Sequence, residues 1–261
     1  MEKYQTIHTE FNETLVTLWL SRPEVHNALN SGMIAEIRHF FTLLEGMPQI
    51  RMVVIRGEGT SFCSGADLRE MKDSLSLDPA ENLKESKELF NLFSTIFNSS
   101  KVVIAVVHGN IFGGGNGLIA AADLAFGTID TRFALSETKV GMAAFSISPY
   151  LMLKIKSSVL KELIFTARTF TAEEAVENGL LNQSFGTMEE LELHLTGLIA
   201  NLMRNGILAI SASKRLINNL AIQGWSKQLE QIPELLANIR VSPEAQEGMT
   251  AFLEKRRPNW E

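Results

Sequence analysis

"VHGNIFGGGNGLIAAADL", residues 107–124, sets three consecutive glycines between an apolar strand and an apolar helix. Glycine inside regular structure costs about 0.5–1 kcal/mol relative to alanine, so three together mark a place where bare backbone is wanted. Two phosphate-loop readings fail. The dinucleotide pattern G-x-G-x-x-G counted from Gly113 needs glycine at 118, which is Leu118. The phosphate loop needs Gly-Lys-Ser/Thr, and no lysine follows. Two readings remain. Either Gly113–Gly115 let the strand pack tightly on the helix, or they expose main-chain N–H groups to a ligand at a helix N-terminus, whose partial positive charge favours an anion.

A second segment, "GTSFCSGADLREM" (59–71), also runs from a strand through Ser64 and Gly65 into a helix starting near Asp67. Two such junctions side by side would aim one N–H each at a common point, forming an oxyanion hole. Losing one donor of that kind typically costs about 2.7–4 kcal/mol of transition-state stabilisation. Such a hole needs a group that moves protons. "FALSETKVGM" (133–142) supplies Glu137 just after a short strand expected over 132–135. Taken alone, that stretch reads equally as a loop with a solvated carboxylate.

Composition bounds the rest. The chain has 261 residues, 45% of them hydrophobic, and a net charge of −6. Its one dense basic run is Lys255-Arg256-Arg257. That balance argues against nucleic acid as a partner. The lone Cys63 excludes an internal disulfide and a cysteine-rich metal site, and His8, His26, His39, His108 and His194 show no ligand spacing, so no metal is expected. Cys63 reads as a small buried hydrophobe rather than a nucleophile, and His108 as a packed strand-end residue. The N-terminus lacks a signal-peptide layout, and no apolar run approaches the ~20 residues of a membrane helix. A cytoplasmic protein without membrane contact is the expectation.

The pattern predicts strands over 4–20 (two, around Asn12-Glu13), 51–59, 101–109 and 124–135 (two), with helices over 30–47, 79–97 and 115–122. Strand–strand–helix repeated, with continuous apolar strands, points to an α/β protein whose sheet is covered on both faces. Beyond about 145 strand signals nearly stop. Thr171–Glu174 and Thr187–Glu190 read as capping boxes, Gly179 as a helix C-terminus, and Ser242-Pro243 as the start of a helix reaching about Arg257. A core over 1–200 with a helical appendix over 201–261 follows. "KDSLSLDPAEN" (72–82) reads as a loop.

Together, "LSRPEVHNALN" (20–30), "FCSGADLREM" (62–71), "VHGNIFGGGNGL" (107–118) and "TARTFTAEEAVENGLLNQ" (166–183) resemble the enoyl-CoA hydratase/isomerase (crotonase) superfamily, in order and over nearly the whole chain. The resemblance implies a crotonase fold, a spiral of ββα units with a C-terminal helical region used in trimer assembly. It implies an acyl-CoA thioester as substrate, coenzyme A being part of that substrate rather than a separate cofactor, and a homotrimer or a hexamer of two trimers. It implies Ala66 and Gly114 as backbone oxyanion donors and Glu137 as the catalytic carboxylate. Glycine at 114 would let the thioester reach the backbone. Val25, Ala28, Ser64, Gly65, Asp67, Leu68 and Gly113 would line the substrate and CoA site, and Lys255 and Arg256 are candidates for the CoA phosphates.

The sequence departs from the family's two-glutamate hydratases at one point. The first glutamate falls three residues after the second donor, where this chain has Gly117. The run Ile147-Ser148-Pro149-Tyr150 is similar to the methylglutaconyl-CoA hydratase branch, which favours hydration of an enoyl-CoA by one glutamate. A Δ3,Δ2-enoyl-CoA isomerase using the same glutamate is the alternative, and an acyl-CoA-binding protein that has lost its chemistry is a third reading. Phe145 stands where dienoyl isomerases and dehalogenases of the superfamily carry aspartate, and with Met142 and Ile147 it is a candidate for an acyl pocket or for core.

Overall fold

The computed structural model describes residues 4–224 and 229–260. Two compact units divide the chain, 1–191 and 192–261.

In the first unit the alternating segment at the N-terminus forms β1 (Ile7–Asn12) and β2 (Leu15–Leu20), an antiparallel pair. Val16, Leu18 and Leu20 all point inward, the period of two that a half-buried strand requires. Then come α1 (Ser31–Glu45), β3 (Met52–Gly57), α2 (Leu68–Asp73), α3 (Pro79–Phe97), β4 (Val102–Val107), β5 (Asn110–Phe112) and α4 (Gly114–Ala121). β6 (Leu124–Thr128), β7 (Arg132–Ala134), α5 (Ser148–Leu151), α6 (Ser157–Thr166), β8 (Thr169–Thr171), α7 (Ala172–Glu177) and β9 (Gln183–Phe185) complete it. α8 (Met188–Met203) starts in this unit and runs into the second.

Six strands form one sheet in the order β1-β2-β3-β4-β6-β9, parallel from β2 onward. Every residue of β4 is buried, as expected of a central strand covered on both faces. A smaller sheet, β5-β7-β8, branches off beyond β4 and holds the ends of the segments that carry the glycines and Glu137. The core under these sheets is aromatic and aliphatic, with Phe41, Phe62, Phe93, Phe133 and Phe170 fully buried. Lys154 closes the far end of α4, donating to the carbonyls of Ile119 (3.0 Å) and Ala122 (2.8 Å), where a cation offsets the helix dipole.

In the second unit the described helices are α9 (Ile207–Gln223), α10 (Ile232–Arg240) and α11 (Pro243–Leu253). α11 starts at a Ser242 cap with proline first, as the sequence predicts, but stops four residues short of Arg257. Lys255 takes φ +55°, and the N–H groups of Lys255 and Arg256 turn back to the carbonyls of Phe252 and Ala251, a Schellman closure built without glycine.

Other expectations also shift. β8 and β9 stand where only helices were expected, because strands of three residues are too short to show alternation. Residues 72–82 are not a loop. They hold the end of α2, a 3₁₀ turn at Ser74–Ser76 and the start of α3, capped reciprocally by Asp78 and Glu81. Thr171–Glu174 is a full capping box. At Thr187 half of one forms, since the Glu190 carboxylate binds the Gly186 N–H instead.

Candidate active site

The segment 20–30 acts as a buckle for the first glycine loop. Asn27, fully buried with φ +54°, donates to the carbonyls of Glu58 (2.8 Å) and Ser61 (2.9 Å) and accepts from the Arg22 N–H (2.8 Å). Leu29 and Ala66 form a parallel bridge, with Leu29 N–H donating to Gly65 O (2.7 Å) and Asp67 N–H to Leu29 O (2.9 Å). Ser64 donates its N–H to His26 O (3.0 Å) and its hydroxyl to Val25 O (3.3 Å). Val25 is half-buried in the 3₁₀ turn Pro23–Val25 and Ala28 is buried beside it.

A second bridge, Cys63 with Ile111, lays this loop alongside the other one. The two meet at glycines. Gly65 has φ +96°, and a Cβ there would stand 2.9 Å from Phe112 O and 3.7 Å from the Gly113 Cα. Gly113, at φ +44° and ψ −118°, is in a conformation that only glycine adopts readily. A Cβ at Gly114 would face inward, 2.9 Å from Leu29 Cδ1. The absent side chain at 114 makes room for Leu29. Ala66 is exposed and Gly114 half-buried. Among the described residues, the N–H groups of these two donate to no protein acceptor.

Glu137 opens a 3₁₀ turn, Glu137–Val140, just past β7. Its Oε1 lies 3.4 Å from where a Gly113 Cβ would be, so the carboxylate sits against the glycine loop. Its Oε2 is buried without a hydrogen-bond partner among the described residues. Burial pushes its pKa above the ordinary carboxylate value, against a smaller pull from its own N–H. Asn116, fully buried on the first turn of α4, points Nδ2 at Ala134 O (3.0 Å), Gly113 O (3.3 Å) and Ile111 O (3.4 Å). Its Oδ1 has no partner among the described residues.

Asp67 serves the loop itself. It caps α2 through the Arg69 N–H and pairs with Arg22 at 2.7 Å, both side chains being largely buried. Burial alone would raise its pKa, but the Arg22 hydrogen bond and charge and the N–H groups of Arg69 and Glu70 hold it below the ordinary value. Leu68 is 77% exposed at the start of α2. Cys63 is buried and burial pushes its thiol up to about 12, which fits a packed residue rather than a nucleophile. His108 Nε2 meets Gly59 O at 2.9 Å, a packing role.

Gly117 has no room for a side chain. A Cβ there would stand 2.6–2.7 Å from the Phe93 ring and closer still to Ile147. Ile147 is therefore core, whereas Met142 (63%) and Phe145 (82%) are exposed. Arg256 lies past the end of α11 and is held by Glu247 and Glu254, so its charge is already matched within the chain. No group of three or more His, Cys, Asp or Glu among the described residues is placed to hold a metal. Phe93, Leu29 and Asn116 escaped the sequence reading. Helical spacing marks Phe93 only as core, and nothing local signals that Leu29 or Asn116 grips a glycine loop.

The family model for enoyl-CoA hydratase/isomerase matches residues 10–261. Crotonyl-CoA hydratase of Syntrophomonas wolfei subsp. wolfei is 29% identical over 263 residues, 98% of each chain. The mitochondrial Δ(3,5)-Δ(2,4)-dienoyl-CoA isomerase of Rattus norvegicus is 30% identical over 222 residues, covering 81% of this chain and 68% of its own. The crystal structure of an enoyl-CoA hydratase from Shewanella pealeana superposes with a TM-score of 0.94 at 30% identity, over 99% of this chain and 97% of that one. With the sheet order, the paired glycine loops and these matches agreeing, the chain belongs to the enoyl-CoA hydratase/isomerase family of enzymes.

Proposed function

We propose that the protein adds water across the 2,3 double bond of an enoyl-CoA, 3-methylglutaconyl-CoA being the candidate substrate, with Glu137 as the single acid–base group. The observation that carries this reading is the unpartnered Oε2 of Glu137, in a carboxylate set against a loop whose Gly114 N–H, like that of Ala66 alongside, has no protein acceptor among the described residues. In the proposed reaction the ionised carboxylate takes a proton from water as the water oxygen bonds to Cβ. The C=C electrons shift toward Cα and onto the thioester oxygen, where the N–H groups of Ala66 and Gly114 meet the developing charge. The proton on Glu137 then passes to Cα and restores the carboxylate. Val25, Ala28, Leu68, Gly65 and Gly113 are proposed to border the CoA channel, while Ser64 and Asp67 contribute by holding the loop. The reaction calls on no cofactor beyond the CoA of the substrate.

A trimer, or two trimers, is the proposed assembly. Phe145 and Phe165 (75% exposed) are apolar surface that such an assembly would cover.

Isomerisation of a 3-enoyl-CoA by the same glutamate is the second reading, favoured by one observation. Phe93 and Ile147 fill the space beside Gly117, so no second carboxylate can be placed there to hold water. Turnover of 3-methylglutaconyl-CoA, crotonyl-CoA and a 3-enoyl-CoA in deuterated water separates the two. A 3-hydroxyacyl product bearing one new oxygen is expected. A shifted double bond with no added oxygen would replace hydration by isomerisation.

A further inference from the structure

A trans peptide points its C=O and N–H in opposite directions, so whatever grips the carbonyl aims the N–H. At Ala66 the grip is main chain, with Leu29 N–H on Gly65 O at 2.7 Å. At Gly114 it comes from the main chain and the side chain of Asn116 together. Gly113 O accepts the Asn116 N–H at 3.0 Å and faces the side-chain Nδ2 at 3.3 Å. The same Nδ2 lies 3.0 Å from Ala134 O, which also accepts the Gly113 N–H at 3.1 Å. Ala134 is the last residue of β7, three before Glu137. The amide cannot be turned round, because its three neighbours are all carbonyl oxygens and only the nitrogen can donate to them. Its Oδ1 is left buried without a partner, a penalty a fold has reason to keep only if the donors matter. The glycines on either side offer no stiffness of their own.

We propose that Asn116 is a positioning residue that fixes the direction of the Gly114 N–H and ties it to the strand end bearing Glu137. The role rests on the reading of Ala66 and Gly114 as donors to the thioester oxygen.

The test uses 2,4-hexadienoyl-CoA, a conjugated thioester whose ultraviolet absorption moves to longer wavelength when its carbonyl is polarised. Bound to the wild-type enzyme it should show that shift, and Glu137→Gln should keep the shift while losing turnover. Asn116→Ala keeps the main-chain bond to Gly113 O and should lose part of the shift, with kcat down about 10-fold, a part of the 10²–10³ that a lost donor costs, and KM within about threefold. Asn116→Ser retains one donor and gives an intermediate shift and kcat, which keeps the test available if the alanine variant does not fold. A folded variant with the wild-type shift and kcat would overturn the proposal. A wild-type complex with no shift would instead overturn the donor assignment beneath it.

Discussion

Glu137 combines two costs that a purely structural residue would avoid, a half-buried charge and an oxygen without a partner among the described residues. Its folded pKa lies above the unfolded one, so the native state holds the proton more tightly. Stability is then undiminished below the unfolded value of 4.5 and falls as pH rises through the folded pKa. Glu137→Gln is therefore expected to melt higher than wild type at pH 7–8, with the gap closing near pH 4, as calorimetry across that range would show. With Glu137 as the proposed base, the acid limb of kcat/KM is expected above the ordinary carboxylate range. The position of Glu137 after its strand was readable from the sequence. Its burial was not, since that depends on packing against the other loops.

Among the elements, the first glycine loop and α2 are tied to the 20–30 segment by an ion pair beside the main-chain bonds. Arg22 donates to Ala28 O (2.6 Å) and to Asp67 (2.7 Å), joining the 20–30 buckle to the helix start. Removing one partner of a buried pair leaves the other charge stranded, at a typical cost of about 3–5 kcal/mol. Arg22→Met should lose stability on that order in urea titrations, while the double variant Arg22→Met/Asp67→Asn recovers part of it. α4 carries the other half of the candidate site, and among its glycines an added Cβ would come closest to a neighbour at Gly117. Gly117→Ala should destabilise by about 1–3 kcal/mol through overpacking, and Phe93→Leu in the same chain should relieve some of the loss. The glycine run showed where backbone is free of side chains, but the partner of each glycine comes from distant segments. Spacing could not tell Gly114, which makes room for Leu29, from Gly117, which makes room for Phe93.

For the molecule as a whole, the succession of strands and helices up to β4 follows from apolar patterning, because buried parallel strands and amphipathic helices carry strong signals, whereas the order of strands in the sheet does not. The three-residue β8 and β9 carry none, and they matter, since β8 closes the small sheet beside Glu137. The Schellman end of α11 was hidden for a similar reason, with Lys255 in a place where glycine would have announced the stop. Light scattering should give a particle of three or six copies of the 29.0 kDa chain, with Phe165→Glu shifting it toward monomer. The deciding measurement is deuterium incorporation at Cα of the product in deuterated water, compared for wild type and Glu137→Gln. If Glu137 moves the proton, the variant loses incorporation and turnover together by about 10²–10⁴-fold while still binding the enoyl-CoA. Incorporation at the wild-type rate in the variant would contradict the single-carboxylate account.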